Sequence, residues 1–233
     1  MASLNSALTR QVLAKGVVRQ TNNDAAIGIR MRYIGTGTVT SVTVVSATSV
    51  ANITTDGGTD TYLFATYATI GSLVDAINAD GIFEAKVIDA LRSEGSDDWF
   101  LAAAPVTAGT DGNGVVVYDL VADTSGATTI ACTLSPTGPD FDAPKGHRVH
   151  LQEITYKVDL TAAADKVQVY KRNGTVETKL LGMTSVDATD TTVTFASGEG
   201  KITGGPDEEL IVLITGTVVD AAGNLVRVVG TYE

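Results

Sequence analysis

His147 and His150 are the two imidazoles of the chain, and Cys132 is its one thiol. Zinc needs three or four His, Cys or carboxylate ligands that converge on one point. In an extended strand a spacing of three sends the two imidazoles to opposite faces. Cys132 stands apart in sequence, so this set predicts no metal centre. No Gly-x-Ser-x-Gly elbow or Cys/His signature places a base beside a nucleophile. Asp97-Asp98 and Glu208-Glu209 are acid pairs of the type glycosidases use across roughly 5 to 10 Å, but adjacent acids in polar stretches read as solvated. Asp56 with Asp60, and Asp111 with Asn113, offer loop oxygens of the sort calcium takes. The full Asp/Asn array with a trailing Glu is missing, and Asp-Gly and Asn-Gly pairs are turn formers first. Glycine clusters near 56–58, 109–114 and 198–205 are not followed by helical patterns, so they read as hairpin turns and not as phosphate loops. The expectation is a protein that is not an enzyme, with no catalytic residue, metal or cofactor.

Binding by charge or by aromatic faces is the other chemistry the residues offer. Arg30 and Arg32 share the polar face of a strand, with Arg10 and Arg19 upstream, which makes residues 1–32 the least negative part of the chain. They read either as a face paired with neighbouring acids or as a docking surface for an acidic partner. Tyr62, Tyr67, Trp99, Tyr118, Tyr156 and Tyr170 are candidates for a glycan platform, as on many carbohydrate or receptor-binding β-sandwiches.

These residues must be positioned by strands. The chain has 233 residues, 44% hydrophobic and 18% charged, with 24 glycines and only 6% aromatics. That composition builds its core from Val, Ile, Leu and Ala, and it predicts a mainly β fold. Sixteen Lys and Arg against 27 Asp and Glu leave a net charge of −11, which repels a polyanion and argues against nucleic acid as a partner. No apolar run is long enough to span a membrane, and residues 1–16 lack the apolar stretch of a signal peptide. A cytoplasm is the expected place of synthesis, at least until assembly. The single cysteine excludes an intrachain disulfide framework. Two Asn-x-Thr triplets, at Asn52 and Asn173, match a glycosylation acceptor but lack a secretion signal beside them.

Residues 1–20 are expected to form an N-terminal arm or short helix, with Leu4, Leu8, Val12 and Leu13 at helical spacing. Ile27, Ile29, Met31 and Tyr33 alternate with Gly28, Arg30 and Arg32 as in a half-buried strand. Strands follow at 38–45, 61–64, 83–87, 99–101, 115–120 and 128–134. A helix is predicted at 72–80, capped by Ser72 and stopped by Gly81. Residues 135–146 hold three of the five prolines and predict a linker. That divides the chain into a β-rich domain with one helix at 21–134 and a β-sandwich at 147–233. In the latter, Asn173-Gly174 signals a type I′ hairpin, and 210–219 with 225–232 reads as a terminal hairpin. The overall expectation is two β-sandwich-like domains.

Ile70-Gly71-Ser72-Leu73-Val74-Asp75-Ala76-Ile77-Asn78-Ala79, followed by Gly81 and the alternating Phe83-Glu84-Ala85-Lys86-Val87, resembles a helix-to-strand module. Such modules occur in virion proteins of tailed bacteriophages and in flagellar hook-associated and filament-cap proteins. The resemblance covers about 20 residues and carries no catalytic positions. The chain lacks the long heptad-rich terminal helices of flagellar proteins, which favours the virion branch. The resemblance implies a non-enzymatic structural protein. Its leading form is a capsid decoration, or cement, protein bound outside an assembled head, and the alternative is a tail, neck or baseplate component. The implied partners are the major capsid protein or other virion proteins, and a homo-oligomer is expected. The arm residues Leu4, Leu8, Val12 and Leu13, with Arg30 and Arg32, are the expected partner contacts.

Overall fold

The computed structural model describes residues 15–22, 26–100, 106–111, 113–121, 129–135, 141, 146–157, 166–182, 192–194, 202–215 and 225–232. The fold is mainly β, built from antiparallel sheets in two modules. In the first module, β2 (Ile27–Tyr33), β3 (Val39–Val45), β4 (Ser49–Thr54) and β5 (Gly58–Leu63) precede the helix α1 (Ile70–Asp80). Then come β6 (Phe83–Val87), the short helix α2 (Ser96–Trp99), β7 (Val106–Thr110) and β8 (Val116–Val121). One sheet runs in the order β6-β2-β8-β7 and a second in the order β3-β4-β5. Ile29 and Met31 point inward from β2, Val42 and Val44 from β3, and α1 adds Ile70, Leu73, Val74 and Ile77. Burying each such side chain stabilises the fold by about 1.5–3 kcal/mol.

The helix begins three residues earlier than the capping pattern suggests. Its N-cap is Thr69, whose hydroxyl accepts from the Ser72 amide while the Ser72 hydroxyl accepts from the Thr69 amide. Ser72 is therefore the N3 half of a capping box. Gly81 ends the helix in the left-handed conformation, at φ 72°. Trp99 and Phe100, expected in a strand, instead close α2 and turn into the core, where Phe100 stacks on Phe64 at 5.8 Å between ring centroids.

The second module is a β-sandwich. One sheet runs β1 (Lys15–Asn22), β15 (Leu225–Tyr232), β10 (Val149–Lys157), β13 (Thr192–Thr194). The other runs β12 (Val176–Gly182), β11 (Lys166–Asn173), β14 (Glu209–Thr215), β9 (Thr129–Leu134). Between them lie Cys132, Leu134, Leu151, Ile154, Val167, Val169, Val212 and Val228, all without exposed surface.

These pairings correct the expected domain limits. Residues 15–20, assigned to a free arm, belong to β1 and pair with β15 from Lys15↔Tyr232 to Asn22↔Leu225. Strand β9, assigned to the first domain, pairs with β14 from Leu210↔Leu134 to Thr215↔Thr129. The strands on either side of the 135–146 segment, β9 and β10, therefore both belong to the second module, and the first module is an excursion between β1 and β9. Strands β14 and β15 are not a hairpin, because they sit in opposite sheets. In the β11–β12 hairpin the last pair is Asn173↔Val176, so the loop is Gly174-Thr175. Gly174 has φ 57° and neither Asn173 nor Thr175 is left-handed, which matches a type II′ turn and not the expected I′.

Candidate functional site

Strand β14 carries the continuous apolar run Leu210-Ile211-Val212-Leu213-Ile214, which signals a strand buried on both faces. Leu210, Val212 and Ile214 fill the sandwich core. Ile211 and Leu213 point the other way, with Ala131 of β9, and close over Leu91 of the first module beside the half-buried Tyr170. The two modules thus share an apolar patch, and polar groups surround it. Asp89 is fully buried, and its Oδ1 accepts from the Thr133 amide at 3.0 Å. The Thr133 hydroxyl donates in turn to the Ile88 carbonyl at 2.7 Å.

Arg172 completes this lock. It follows Val167 and Val169 on β11 with the opposite strand parity to those core residues, so its side chain leaves the sandwich on the side that meets the first module. It is 5% exposed. Nη1 donates to the Val87 carbonyl at 3.0 Å and to Glu209 Oε2 at 2.9 Å. Nη2 donates to the Ala90 carbonyl. Nε donates to Glu177 Oε1 at 2.9 Å. Glu177 also accepts the Arg92 amide on both oxygens at 3.0 Å. The planar guanidinium, with donors on every edge, suits four acceptors held by two modules.

Beside this lock opens a cleft of about 300 Å³, whose lining includes Asp75, Lys86, Arg92, Arg172, Asp207 and Glu209. Much of that charge is matched within the cleft wall. Arg92 Nη2 reaches Asp75 Oδ2 at 2.6 Å, and the Asp207 carboxylate accepts the Gly146 amide at 2.6 Å. The arrangement holds modules together.

No family model matches the chain. No curated protein matches it either. Among solved structures there is a likeness to one described as the crystal structure of infectious bursal disease virus VP2 subviral particle. It has 9% identity over 94% of this chain and 80% of that chain, with a TM-score of 0.13, and at that score it carries no argument.

The residues singled out from sequence fall into three groups. Leu4, Leu8, Val12, Leu13 and Arg10 lie outside the described residues, as do the side chains of Arg19 and Tyr156. Arg30 and Arg32 are ion-paired across the sheet. Arg30 forms a two-pronged contact with Asp119 at 2.6 and 2.7 Å. Arg32 meets Glu84 at 2.5 Å and Asp111 at 3.7 Å, with the Phe141 ring 4.8 Å from its guanidinium carbon. Their pairing with neighbouring acids is the plainer of the two readings. The remaining group is structural. Cys132 is in the sandwich core, and His150 Nδ1 lies 3.0 Å from the Thr203 hydroxyl. Among the described residues no three His, Cys, Asp or Glu side chains are placed to hold a metal ion. Asn52 is fully buried, which removes one glycosylation triplet.

The acids have other partners than a substrate. Asp56 accepts the Tyr33 hydroxyl at 2.7 Å and the Thr36 and Gly37 amides at 2.8 and 3.0 Å. Those bonds, the Tyr33 one foremost, hold its carboxyl well below the usual carboxylate range, and desolvation, followed by the bond to Asp56, raises the Tyr33 phenol. Glu208 accepts the Gly205 amide at 2.6 Å and Lys171 Nζ at 3.2 Å, and its pKa is lowered, first by that amide. Glu209 belongs to the Arg172 lock. Of the aromatic candidates, Tyr62 and Trp99 are buried, Tyr67 and Tyr118 pack against the same core, and Tyr170 packs beside the patch of Leu91 and Ile211. Burial raises the Tyr62 phenol.

Sequence reasoning missed Arg172, Glu177 and Asp89. Strand parity carries only the information that Arg172 leaves the sandwich core. The one available signal was the unbroken apolar run of β14, which announces that something covers its outer face.

Proposed function

We propose that this chain is a non-enzymatic virion structural protein of a tailed bacteriophage, bound outside an assembled capsid and stabilising it. The observation that carries this reading is the lock around Arg172. Two modules joined by a chain excursion are expected to move relative to one another unless their interface is strong. A stabiliser that bridges neighbouring subunits has to hold its contact surfaces at a fixed separation, and a buried guanidinium with four acceptors supplies that rigidity. The helix-to-strand resemblance of residues 70–87 supports the virion class. Adhesion of many copies adds binding free energy at each symmetry-related site without any chemical step.

Quantitative mass spectrometry of purified particles tests the reading. Copies comparable in number with the major capsid protein are expected. A small fixed number per particle would move the chain to the neck, tail or baseplate. Absence from particles would discard the virion reading and favour a carbohydrate or receptor-binding module.

A further inference from the structure

The chain contains two Asn-Gly pairs, Asn113-Gly114 and Asn173-Gly174, and both asparagines are exposed. With no Cβ on the following residue, the glycine nitrogen can approach the asparagine side-chain carbon. The two pairs differ in what holds that nitrogen. The Gly114 amide donates to the Asp111 carbonyl at 3.0 Å, and the Asn113 amide to Asp111 Oδ1 at 2.9 Å. Gly174 lies beyond the last ladder pair of its hairpin. Both glycines are open, with no heavy atom within 4 Å of where a side chain would begin, so the contrast lies in the bonds that tie the Asn113-Gly114 backbone to Asp111.

We propose that Asn173 is a site of spontaneous deamidation, and that its conversion loosens the lock between the modules. The Gly174 nitrogen gives up its proton to solvent base and attacks Cγ of Asn173. A C–N bond forms, the Cγ–Nδ2 bond breaks, and the amide NH2 takes a proton back from solvent and leaves as ammonia. Water then opens the cyclic imide, its hydroxyl going to one carbonyl carbon and its proton to the released nitrogen. The product is aspartate or isoaspartate, and no oxidant or reductant is involved.

The position gives the reaction its consequence. Asn173 Nδ2 lies 3.4 Å from Glu208 Oε1, on the carboxylate that also binds Lys171. Conversion replaces that donor with a like charge. Isoaspartate also lengthens the backbone by one carbon at the last residue of β11, at the entrance to the two-residue turn that leads into β12. Glu177 is the second residue of that strand, and it binds both Arg172 and the Arg92 amide. A displaced hairpin therefore withdraws Glu177 from its partner module.

The test ages the full chain and its Asn173→Gln variant in mildly alkaline buffer, then combines peptide mapping with amide hydrogen exchange. Asn173 should convert several-fold faster than Asn113. Exchange of the Arg92 amide should accelerate several-fold in the aged protein, while the Thr133 amide, held by Asp89, keeps its protection. The glutamine variant should retain protection at both. An intact Asn173, an equal or faster conversion of Asn113, or complete conversion with Arg92 still protected would each overturn the proposal. So would equal ageing of the glutamine variant.

Discussion

Arg172 of the second module donates through Nη1 to the carbonyl oxygen of Val87, the last residue of β6, at 3.0 Å. The same nitrogen holds Glu209, so one buried group joins a strand end of one module to strand β14 of the other. Arg172→Ala leaves Glu177 and Glu209 facing each other without a cation. Breaking a buried ion pair in this way costs about 3–5 kcal/mol. Urea unfolding should show the lower midpoint. Replacing all three by Met, Gln and Gln should recover much of the loss, because no buried charge is then stranded. A triple variant as unstable as Arg172→Ala would show that the hydrogen bonds to Val87 and Ala90 dominate.

Gly230 on β15 is a second point of close approach. A Cβ there would lie 2.5 Å from Leu134 Cδ2 and 2.6 Å from the His150 carbonyl oxygen. The leucine tip can shift, but the carbonyl is part of the ladder between β10 and β15. Gly230→Ala should therefore destabilise by about 1–3 kcal/mol, the usual range for overpacking. Gly109→Ala, where the nearest atom is 3.9 Å away, serves as the control in thermal melting and should shift the midpoint far less.

Acid stability follows from Asp56 and Glu208, whose pKa values are both lowered in the folded state. A lowered folded pKa means that the ionised form is bound more favourably when folded. The contribution is present above the unfolded value of about 4 and is lost as pH falls through the folded value. The thermal midpoint should stay level from neutral pH down to about 5 and decline below about 4. Asp56→Asn and Glu208→Gln should each flatten the decline, and melting curves across this range check it.

The arm prediction needs a cut at the correct place. Deleting residues 1–20 would remove most of β1 and unzip it from β15, which confounds binding with folding. Deleting residues 1–14 removes Leu4, Leu8, Val12 and Leu13 and leaves β1 whole. The shortened chain should keep its melting temperature and lose occupancy on particles in a co-sedimentation assay. Unchanged occupancy would sink the arm as the contact.

Much of this fold was legible because local periodicity survives in it. Ile29 and Met31 announced β2, Phe83, Ala85 and Val87 announced β6, and the Leu73, Val74, Ile77 face announced α1. The helix start was misplaced because Ser72 with Asp75 fits a capping box as well as Thr69 with Ser72 does, and only the backbone decides between them. Trp99 and Phe100 misled because a short apolar cluster has no period. The lock was illegible for a deeper reason. Arg172, Glu177 and Asp89 sit on faces that look solvent-directed within their own strands or loops, and burial comes from a module distant in sequence. Pairing of β9 with β14 and of β1 with β15 is likewise a long-range choice that no local pattern carries.

The pairing of Lys15 with Tyr232 has a consequence for synthesis. Strand β1 leaves the ribosome long before its partner β15 is made. The first module, complete by Val121, can fold while translation continues, and it must do so with β1 waiting unpaired at its entrance. Closure of so long a loop adds only slowly to the entropy cost, since that cost grows with the logarithm of length, but it delays the sandwich in time. The hydrogen-bonding edge of β1 is thus open during the interval when neighbouring nascent chains are nearest. A chain stalled before Leu225–Tyr232 would leave that edge permanently available for strand exchange.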